Sequence, residues 1–255
     1  MLTRLMPAIY RRMRLGRLLR YRPGERLFLS AYFLYKRFWE DSFATLTHNH
    51  PELFKGGDIL DVGANVGYTA VVFAAACSPG RRVWAFEPEP VSLARLQRVI
   101  AGRKLRSVVE PVHAALGDRV GEASLCANDD HPADHWIGND NRAVTVPMTT
   151  IDSFVDKHHL NVTFVKIDVQ GYELFVSRGM ERLLARPVSV AFEISADSRT
   201  RFDYDAGELL AFYSARGFNL YLISRTGAIE PATMERVERI LGQRGYADIL
   251  ATRQF

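Results

Sequence analysis

The chain has 255 residues, a net charge of +4 and the apolar and charged composition of an ordinary soluble globular protein. Residues 1–40 contain ten Lys/Arg and two Asp/Glu, so this segment carries +8 and residues 41–255 carry −4. An acidic body argues against a nucleic-acid groove on the main domain. The two cysteines, Cys77 and Cys126, provide neither a disulfide framework nor a cysteine-rich metal site, and we expect them to be packing residues in a reducing compartment.

The first segment, residues 1–14, has the pattern of a basic amphipathic helix, with arginines between apolar residues at i, i+3, i+4 spacing: Leu2, Leu5, Met6, Ile9 and Met13. Such a helix binds membrane surfaces or acidic partners, or it packs on its own domain with a solvated arginine face. Both options stay open. We expect a cytoplasmic protein, and the first option adds peripheral contact at the inner membrane face through residues 1–20.

A second helix is predicted over residues 25–43, after a break at Pro23 and Gly24. Its uncharged part, residues 27–35, is too short to span a bilayer, and no small-residue cleavage site follows it. We therefore expect this helix to pack against the main domain or to form a substrate lid. The predicted organisation is a basic helical extension at 1–50 and an α/β domain at 51–255.

The segment 47–57 is predicted to be a loop. It contains His48 and His50, a spacing found in metal sites, but no third ligand lies nearby in the sequence. We assign no metal ligands.

The most informative stretch is 58–69, where an apolar run ends at Asp61, glycines follow, and a helical pattern begins at Tyr68. This order predicts a buried parallel strand, a tight turn and a helix N-terminus, the local geometry of a nucleotide-type site. Gly63 and Gly67 fit positions where a side chain would block a ligand or where φ is positive. Asp61 lies at the strand end, where ligands bind in open α/β sheets.

The next strand, residues 82–86, ends at Glu87 and Pro88, and a carboxylate at this position can accept both hydroxyls of a ribose. The turn before it is D-x-G-x-N-x-G, which includes Asn65 and lacks the pyrophosphate cradle of G-x-G-x-x-G. An acid inside the turn suits a cofactor with an amine and a sulfonium cation. These features favour S-adenosylmethionine over NAD, with a plain βαβ turn as the alternative.

A helix is predicted at 90–103 and a third strand at 107–114, which leads into a turn from Ala115 to Asp118. We expect this turn beside the adenine of the cofactor. Two shorter strands are predicted at 121–126 and 143–149. The segment between them, 128–141, has no periodicity and is expected to be a functional or mobile loop.

The second half continues the alternation of strands and helices. A helix begins near Thr150, with Thr150 or Asp152 as its cap. A strand at 162–167 ends at Asp168, and a strand at 188–192 ends at Glu193. A helix at 206–216 and two closing strands, 218–224 and 249–252, complete an α/β, Rossmann-like sheet.

Four motifs in this order resemble the FkbM-type methyltransferases: DVGANVGYT at 61–69, FEPEP at 86–90, ALGD at 115–118 and IDVQGYE at 167–173. The resemblance covers about residues 56–225 and implies the seven-stranded class I methyltransferase fold, S-adenosylmethionine as cofactor and O-methylation of a sugar, glycolipid or polyketide-type hydroxyl. The cofactor residues predicted in this way are Asp61, Gly63, Asn65, Gly67, Glu87, Pro88, Ala115, Asp118 and Asp168. The chain departs from the family at Gln170, where the usual residue is Glu.

Methyl transfer to an alcohol requires a positioned acceptor and, in many enzymes, a base. Asp168 and Glu193 end neighbouring strands, so we predict Asp168 as the base and Glu193 as its partner or as an acceptor of a substrate hydroxyl. The alternative is that Asp168 only positions the methionine amine and Glu193 caps a turn. Glu173 is expected to be structural. An alternative function is a membrane-peripheral binding protein with a decayed methyltransferase domain.

Overall fold

The computed structural model describes residues 22–126, 135–138, 143–196 and 198–255. The predicted amphipathic helix at 1–14 lies outside these residues. Of the predicted loop at 128–141, only residues 135–138 are described.

The main sheet has eight strands: β1 Asp58–Val62, β2 Val83–Phe86, β3 Val109–Val112, β8 Val162–Ile167, β9 Ser189–Ser195, β10 Asn219–Ile223, β11 Ile229–Pro231 and β12 Tyr246–Thr252. Their order in the sheet is β11-β10-β12-β9-β8-β1-β2-β3. The strands β3, β2, β1, β8 and β9 are parallel, and β12 is inserted antiparallel between β9 and β10. The Rossmann-like class I fold is therefore confirmed.

The predicted count of seven strands is wrong by one. The chain turns back after β10, and β11 pairs antiparallel with it at the edge of the sheet. With only three residues, β11 is too short for a periodicity of two to identify it in the sequence.

A second sheet has four strands in the order β4-β7-β5-β6. Its strands are β4 Ala115–Leu116, β5 Gly121–Cys126, β6 Trp136–Ile137 and β7 Val144–Thr149. The antiparallel pairing of β5 with β7 confirms the two shorter strands predicted from the sequence.

The α-helices connect these strands and flank the main sheet. They are α1 Arg22–Tyr35, α2 Phe43–Asn49, α3 Tyr68–Ala76, α4 Pro90–Gly102, α5 Ile151–His158, α6 Glu173–Arg178, α7 Glu181–Leu184, α8 Ser198–Phe202, α9 Ala206–Ser214 and α10 Met234–Arg244. Of the two predicted caps, Thr150 is the one that caps α5, where its hydroxyl accepts a hydrogen bond from the backbone N–H of Ser153.

The N-terminal helix differs from its predicted bounds. α1 starts at Arg22 and includes Pro23, which is tolerated in the first turn because the amides there have no helical partner. A π-helical turn, Lys36–Glu40, follows α1, and the helical backbone ends at Asp41. The carboxylate of Asp41 accepts a hydrogen bond from the backbone N–H of Phe43 at 2.8 Å. The predicted single helix over 25–43 is thus two elements.

The predicted loop at 47–57 is also wrong in part, since α2 extends to Asn49 and a 3₁₀ turn occupies Pro51–Phe54. Phe43 and Leu46 of α2 share one apolar core with Phe73 of α3 and Phe164 of β8. The last turns of the predicted extension therefore pack into the domain core.

The core occupies both faces of the main sheet because side chains alternate along each strand. In β1, Leu60 and Val62 join one apolar cluster and Ile59 joins the other. Within the described residues, no helix has both the length and the apolar character needed to cross a membrane.

Candidate active site

A cavity of about 640 Å³ opens where the parallel strands of the main sheet end. Its walls come from the segments that follow β1, β2 and β8, from β9 and β12, and from α1. Ligands bind at this edge of open α/β sheets. The cavity is therefore the candidate active site.

The turn after β1 requires its glycines. Gly63 has φ 76°, and a Cβ there would lie 1.9 Å from the carbonyl oxygen of Asp168. Gly67 has φ 90°, and its Cβ would lie 2.5 Å from Cδ1 of Leu96. Of the two predicted reasons for glycine at these positions, the structure shows the positive φ for both. The close neighbours are parts of the protein itself, so the turn is packed against β8 and α4.

Glu87 lies in the cavity wall and is 5% exposed. Its Oε2 accepts a hydrogen bond from the backbone N–H of Asn65 at 2.8 Å, and its Oε1 accepts one from the backbone N–H of Glu89 at 2.8 Å. Burial raises the pKa of Glu87 to about 7, against the lowering effect of these two hydrogen bonds. Each oxygen keeps a further lone pair, so the side chain can still accept hydroxyl groups of a ligand.

Asn65 provides an observation that points to a ligand. It lines the cavity at φ 49°, and its Oδ1 is buried without a hydrogen-bond partner. A buried acceptor without a donor is costly. A hydroxyl or amine of a bound molecule would supply that donor beside Glu87.

The predicted cofactor residues separate into two sets. Those that line the cavity are Gly63, Asn65, Glu87, Pro88, Ala115 and Asp168. The others, Asp61, Gly67 and Asp118, are not among the lining residues. The first set spans the ends of β1, β2, β4 and β8.

Asp61 lies fully buried below the cavity floor. Its Oδ2 accepts the hydroxyl of Thr69 at 2.7 Å, and its Oδ1 lies 3.5 Å from Nζ of Lys166. The carboxylate therefore anchors the first turn of α3 and the lysine of β8.

Lys166 connects the cavity floor to its walls. Its Nζ donates to the carbonyl of Gly63 at 3.0 Å and lies 3.4 Å from Oδ2 of Asp168. Burial alone would lower the pKa of Lys166, but the carboxylates of Asp168 and Asp61 outweigh burial and raise it. A permanent buried cation thus holds the glycine turn and Asp168 together.

Asp168 lines the cavity directly after β8 and also bonds to Gln170. The Nε2 group of Gln170 donates to Oδ1 of Asp168 at 3.0 Å. A glutamate in place of Gln170 could not donate this hydrogen bond while ionised. The departure from the family pattern therefore adds a donor beside the predicted base.

Glu193 lies in the same cavity, opposite Asp248 in the register of β9 with β12. Burial and then the carboxylate of Asp168 raise the pKa of Glu193 well above its ordinary value. Burial also raises the pKa of Asp248 to about 6, although the hydroxyl of Ser42 donates to it at 3.0 Å. The structure therefore brings the two predicted catalytic carboxylates, Asp168 and Glu193, to one cavity and adds a third.

Glu173 has the structural role predicted for it. Its Oε1 accepts the amides of Val169 at 3.0 Å and Gly171 at 3.1 Å, and the hydroxyl of Tyr204 donates to its Oε2 at 3.1 Å. Burial raises the pKa of Glu173 to about 7. The side chain fixes the turn that carries Asp168.

Several residues of this site are not predicted from the sequence. The signal for Lys166 is that it is the only charged residue in the mostly apolar strand β8. Asp248 is likewise the only charged residue in β12, whereas no sequence pattern marks Ser42 as part of the site. Three further cations line the cavity: Lys36, Arg201 and Arg244. Among the described residues, no group of three His, Cys, Asp or Glu side chains could hold a metal ion.

Comparison with known proteins places this site in a family context. Residues 61–220 match the model of the methyltransferase FkbM domain. The hexuronic acid methyltransferase AglP of Haloferax volcanii is 30% identical over 146 residues, which are 54% of this chain and 56% of that protein.

Two solved structures share the fold. The methyltransferase FkbM of Methylobacillus flagellatus gives a TM-score of 0.52 at 18% identity, over 89% of this chain and 52% of that one. A putative rRNA-methylase of Clostridium thermocellum gives a TM-score of 0.50 at 9% identity, over 84% of this chain and 96% of that one. The chain thus spans only about half the length of AglP and of the Methylobacillus protein.

Proposed function

The chain belongs to the FkbM methyltransferase family, and we propose that it transfers a methyl group from S-adenosylmethionine to a hydroxyl of a sugar or glycan. The observation that carries this proposal is the shared cavity of Glu87, Asn65, Asp168 and Glu193. One end of the cavity presents groups that suit a nucleoside, and the other presents carboxylates that suit a hydroxyl.

The residues at the first end fit the cofactor. Glu87 would accept the ribose hydroxyls, and the unpaired Oδ1 of Asn65 would accept a hydrogen bond from the same molecule. Ala115 and Pro88 supply apolar wall for the adenine. When bound, S-adenosylmethionine supplies a methyl group on a positively charged sulfur.

At the other end, Asp168 is the group that accepts or orients the proton of the acceptor hydroxyl. Lys166 and Gln170 fix its carboxylate through contacts of 3.4 Å and 3.0 Å. Glu193 shares the cavity and orients a second hydroxyl or shares the proton with Asp168. A fixed acceptor also lowers the entropic cost of bringing the hydroxyl to the methyl group.

An acidic sugar is the favoured acceptor class. Lys36, Arg201 and Arg244 line the cavity, and guanidinium groups bind carboxylates in bidentate geometry. The relative from Haloferax volcanii is named as a hexuronic acid methyltransferase, which agrees with a carboxylate-bearing acceptor.

The alternative, a binding protein with a decayed methyltransferase domain, is less favoured. A decayed site has no need to keep the buried carboxylate of Glu87 or the unpartnered Oδ1 of Asn65 in the wall of its cavity. Peripheral membrane contact through residues 1–20 stays a prediction.

The test is methyl transfer with isotopically labelled S-adenosylmethionine. The full chain is incubated with uronic-acid-containing glycans and with neutral glycans of matched length, and the products are analysed by mass spectrometry. We expect label in the acidic glycans, as an ether that survives mild alkali. Label that mild alkali releases would show a methyl ester and would move the reaction from the hydroxyl to the carboxylate.

A further inference from the structure

The helix α1 has two different apolar faces. Phe28, Tyr32 and Tyr35 lie on the face that lines the cavity. The other face presents apolar side chains to solvent at i, i+4, i+7 and i+11, the last in the π-helical turn: Leu27, Ala31, Leu34 and Phe38. We call these four residues the outer stripe.

The outer stripe contains the most exposed large apolar side chains of this region. Leu27 is 69% exposed, Leu34 is 57% exposed and Phe38 is 60% exposed. A single exposed leucine is ordinary on a protein surface, whereas an aligned row on one helix marks an interaction surface.

The described charged side chains that are exposed beside the outer stripe have one sign. Arg26 and Arg37 are exposed in the same two elements, and Arg103 lies with its guanidinium 4.7 Å from the ring of Phe33. Glu25, in contrast, is buried in an ion pair with Arg95 at 3.1 Å. Among the described side chains of α1 and the π-helical turn, no exposed carboxylate balances these arginines.

We propose that the outer stripe docks the protein on an anionic lipid surface. Apolar side chains flanked by arginines are the pattern by which a helix lies in a membrane interface, where the apolar groups enter the acyl boundary and the cations bind lipid phosphates. Pairing of the outer stripe with the outer stripe of a second copy of the chain is less favourable. Antiparallel pairing of two stripes would place Arg26 opposite Arg37 in both halves, so that like charges would meet.

Docking through α1 would also set the position of the cavity. Because the opposite face of the same helix forms part of the cavity wall, the docked protein would hold the cavity next to the lipid surface. If the proposed function is correct, this arrangement suits an acceptor sugar attached to a lipid. The docking itself does not depend on methyl transfer and is tested without it.

The experiment is co-sedimentation of the full chain with vesicles of phosphatidylcholine alone and of phosphatidylcholine with phosphatidylglycerol. The test variant carries Leu27→Glu, Leu34→Glu and Phe38→Glu. The matched control carries the same number of glutamates at exposed apolar positions elsewhere, Val120→Glu, Val144→Glu and Met234→Glu. Thermal unfolding of each variant confirms that it is folded.

We expect the wild type and the control to bind the anionic vesicles, with weaker binding at high salt, and the test variant to bind at least tenfold more weakly. Equal binding of the test variant would overturn the proposal, as would a wild type that binds neither vesicle. A wild type that is dimeric by light scattering and becomes monomeric in the test variant would assign the stripe to a second copy. A third variant, Arg4→Gln, Arg11→Gln, Arg12→Gln and Arg14→Gln, separates the contribution of residues 1–14. If this variant lost all binding and the test variant lost none, the docking role of α1 would also be contradicted.

Discussion

Lys166 Nζ lies 3.4 Å from Oδ2 of Asp168, and the lysine side chain is only 3% exposed. The same nitrogen lies 3.5 Å from Oδ1 of Asp61, so one buried cation compensates two carboxylates. Removal of one member of such a group leaves the other charges buried without compensation.

We therefore expect Lys166→Met to destabilise the fold by about 3–5 kcal/mol, the usual cost of breaking a buried ion pair. Urea unfolding followed by circular dichroism measures this loss. The double variant Lys166→Met, Asp61→Asn removes a stranded charge as well and should recover part of the stability. Strictly additive losses in the double variant would contradict the coupling of the two side chains.

Asp168→Asn tests the proposed base. The change keeps the shape and the acceptor for Gln170, and Lys166 keeps Asp61 as its partner, so the fold should persist. Turnover should fall by roughly 100-fold or more. The affinity for S-adenosylmethionine, measured by calorimetry, should change much less. Equal losses of affinity and turnover would make Asp168 a cofactor ligand and would leave Glu193 as the candidate base.

Glu87 should make cofactor binding depend on pH. Its pKa is about 7, and the ionised carboxylate is the better acceptor for ribose hydroxyls. The affinity for S-adenosylmethionine should therefore increase by up to about tenfold between pH 6 and pH 8. Calorimetry across this range should show weaker binding and a flatter pH dependence for Glu87→Gln. A wild-type affinity that is constant with pH would refute this role.

Gln170→Glu restores the usual family residue and tests the hydrogen bond to Asp168. The fold should persist, since glutamate is close in size to glutamine and the left-handed backbone at φ 56° is unchanged. A second carboxylate beside Asp168 should move the acidic limb of the pH–rate profile to higher pH. Parallel assays with a chelator and with added divalent ions show whether the new carboxylate recruits a metal. An unchanged profile would mean that Gln170 has no influence on Asp168.

Glu173 should make the fold less stable in alkaline solution. Its pKa is about 7 in the folded protein against an ordinary value of 4.5, so the folded state binds the proton more tightly than the unfolded chain. This contribution is present in full below about pH 4.5 and is lost as the pH rises through 7. Between pH 5 and pH 8, the free energy of unfolding of Glu173→Gln should fall less than that of the wild type, by on the order of 3 kcal/mol. Urea midpoints at several pH values measure it, and an equal slope in both proteins would contradict the raised pKa.

The parts of the fold that the sequence predicted well are those with strong local signals. Gly63 and Gly67 need positive φ, Thr150 caps its helix, and apolar runs mark β1 and β8. These features depend on chain neighbours, so they are visible without the structure.

The parts that it missed depend on contacts between distant segments. Ser42 donates a hydrogen bond to Asp248, which lies 206 residues later in the sequence, and no local pattern predicts that pair. Asp61 was predicted to contact the cofactor because acids at this position follow a nucleotide-type strand. Its neighbours, Thr69 and Lys166, are visible only once β8 lies beside β1.

The place of β12 constrains the order in which the protein can fold during synthesis. Val190 of β9 pairs with Ala251 of β12, so the gap between β9 and β10 stays open until the ribosome has released the strand that fills it. Until then, both neighbouring strands present unpaired backbone edges that can pair with other chains. The nascent protein is therefore most exposed to aggregation between the synthesis of β10 and that of β12, when chaperones that cover sheet edges would have the greatest effect on yield.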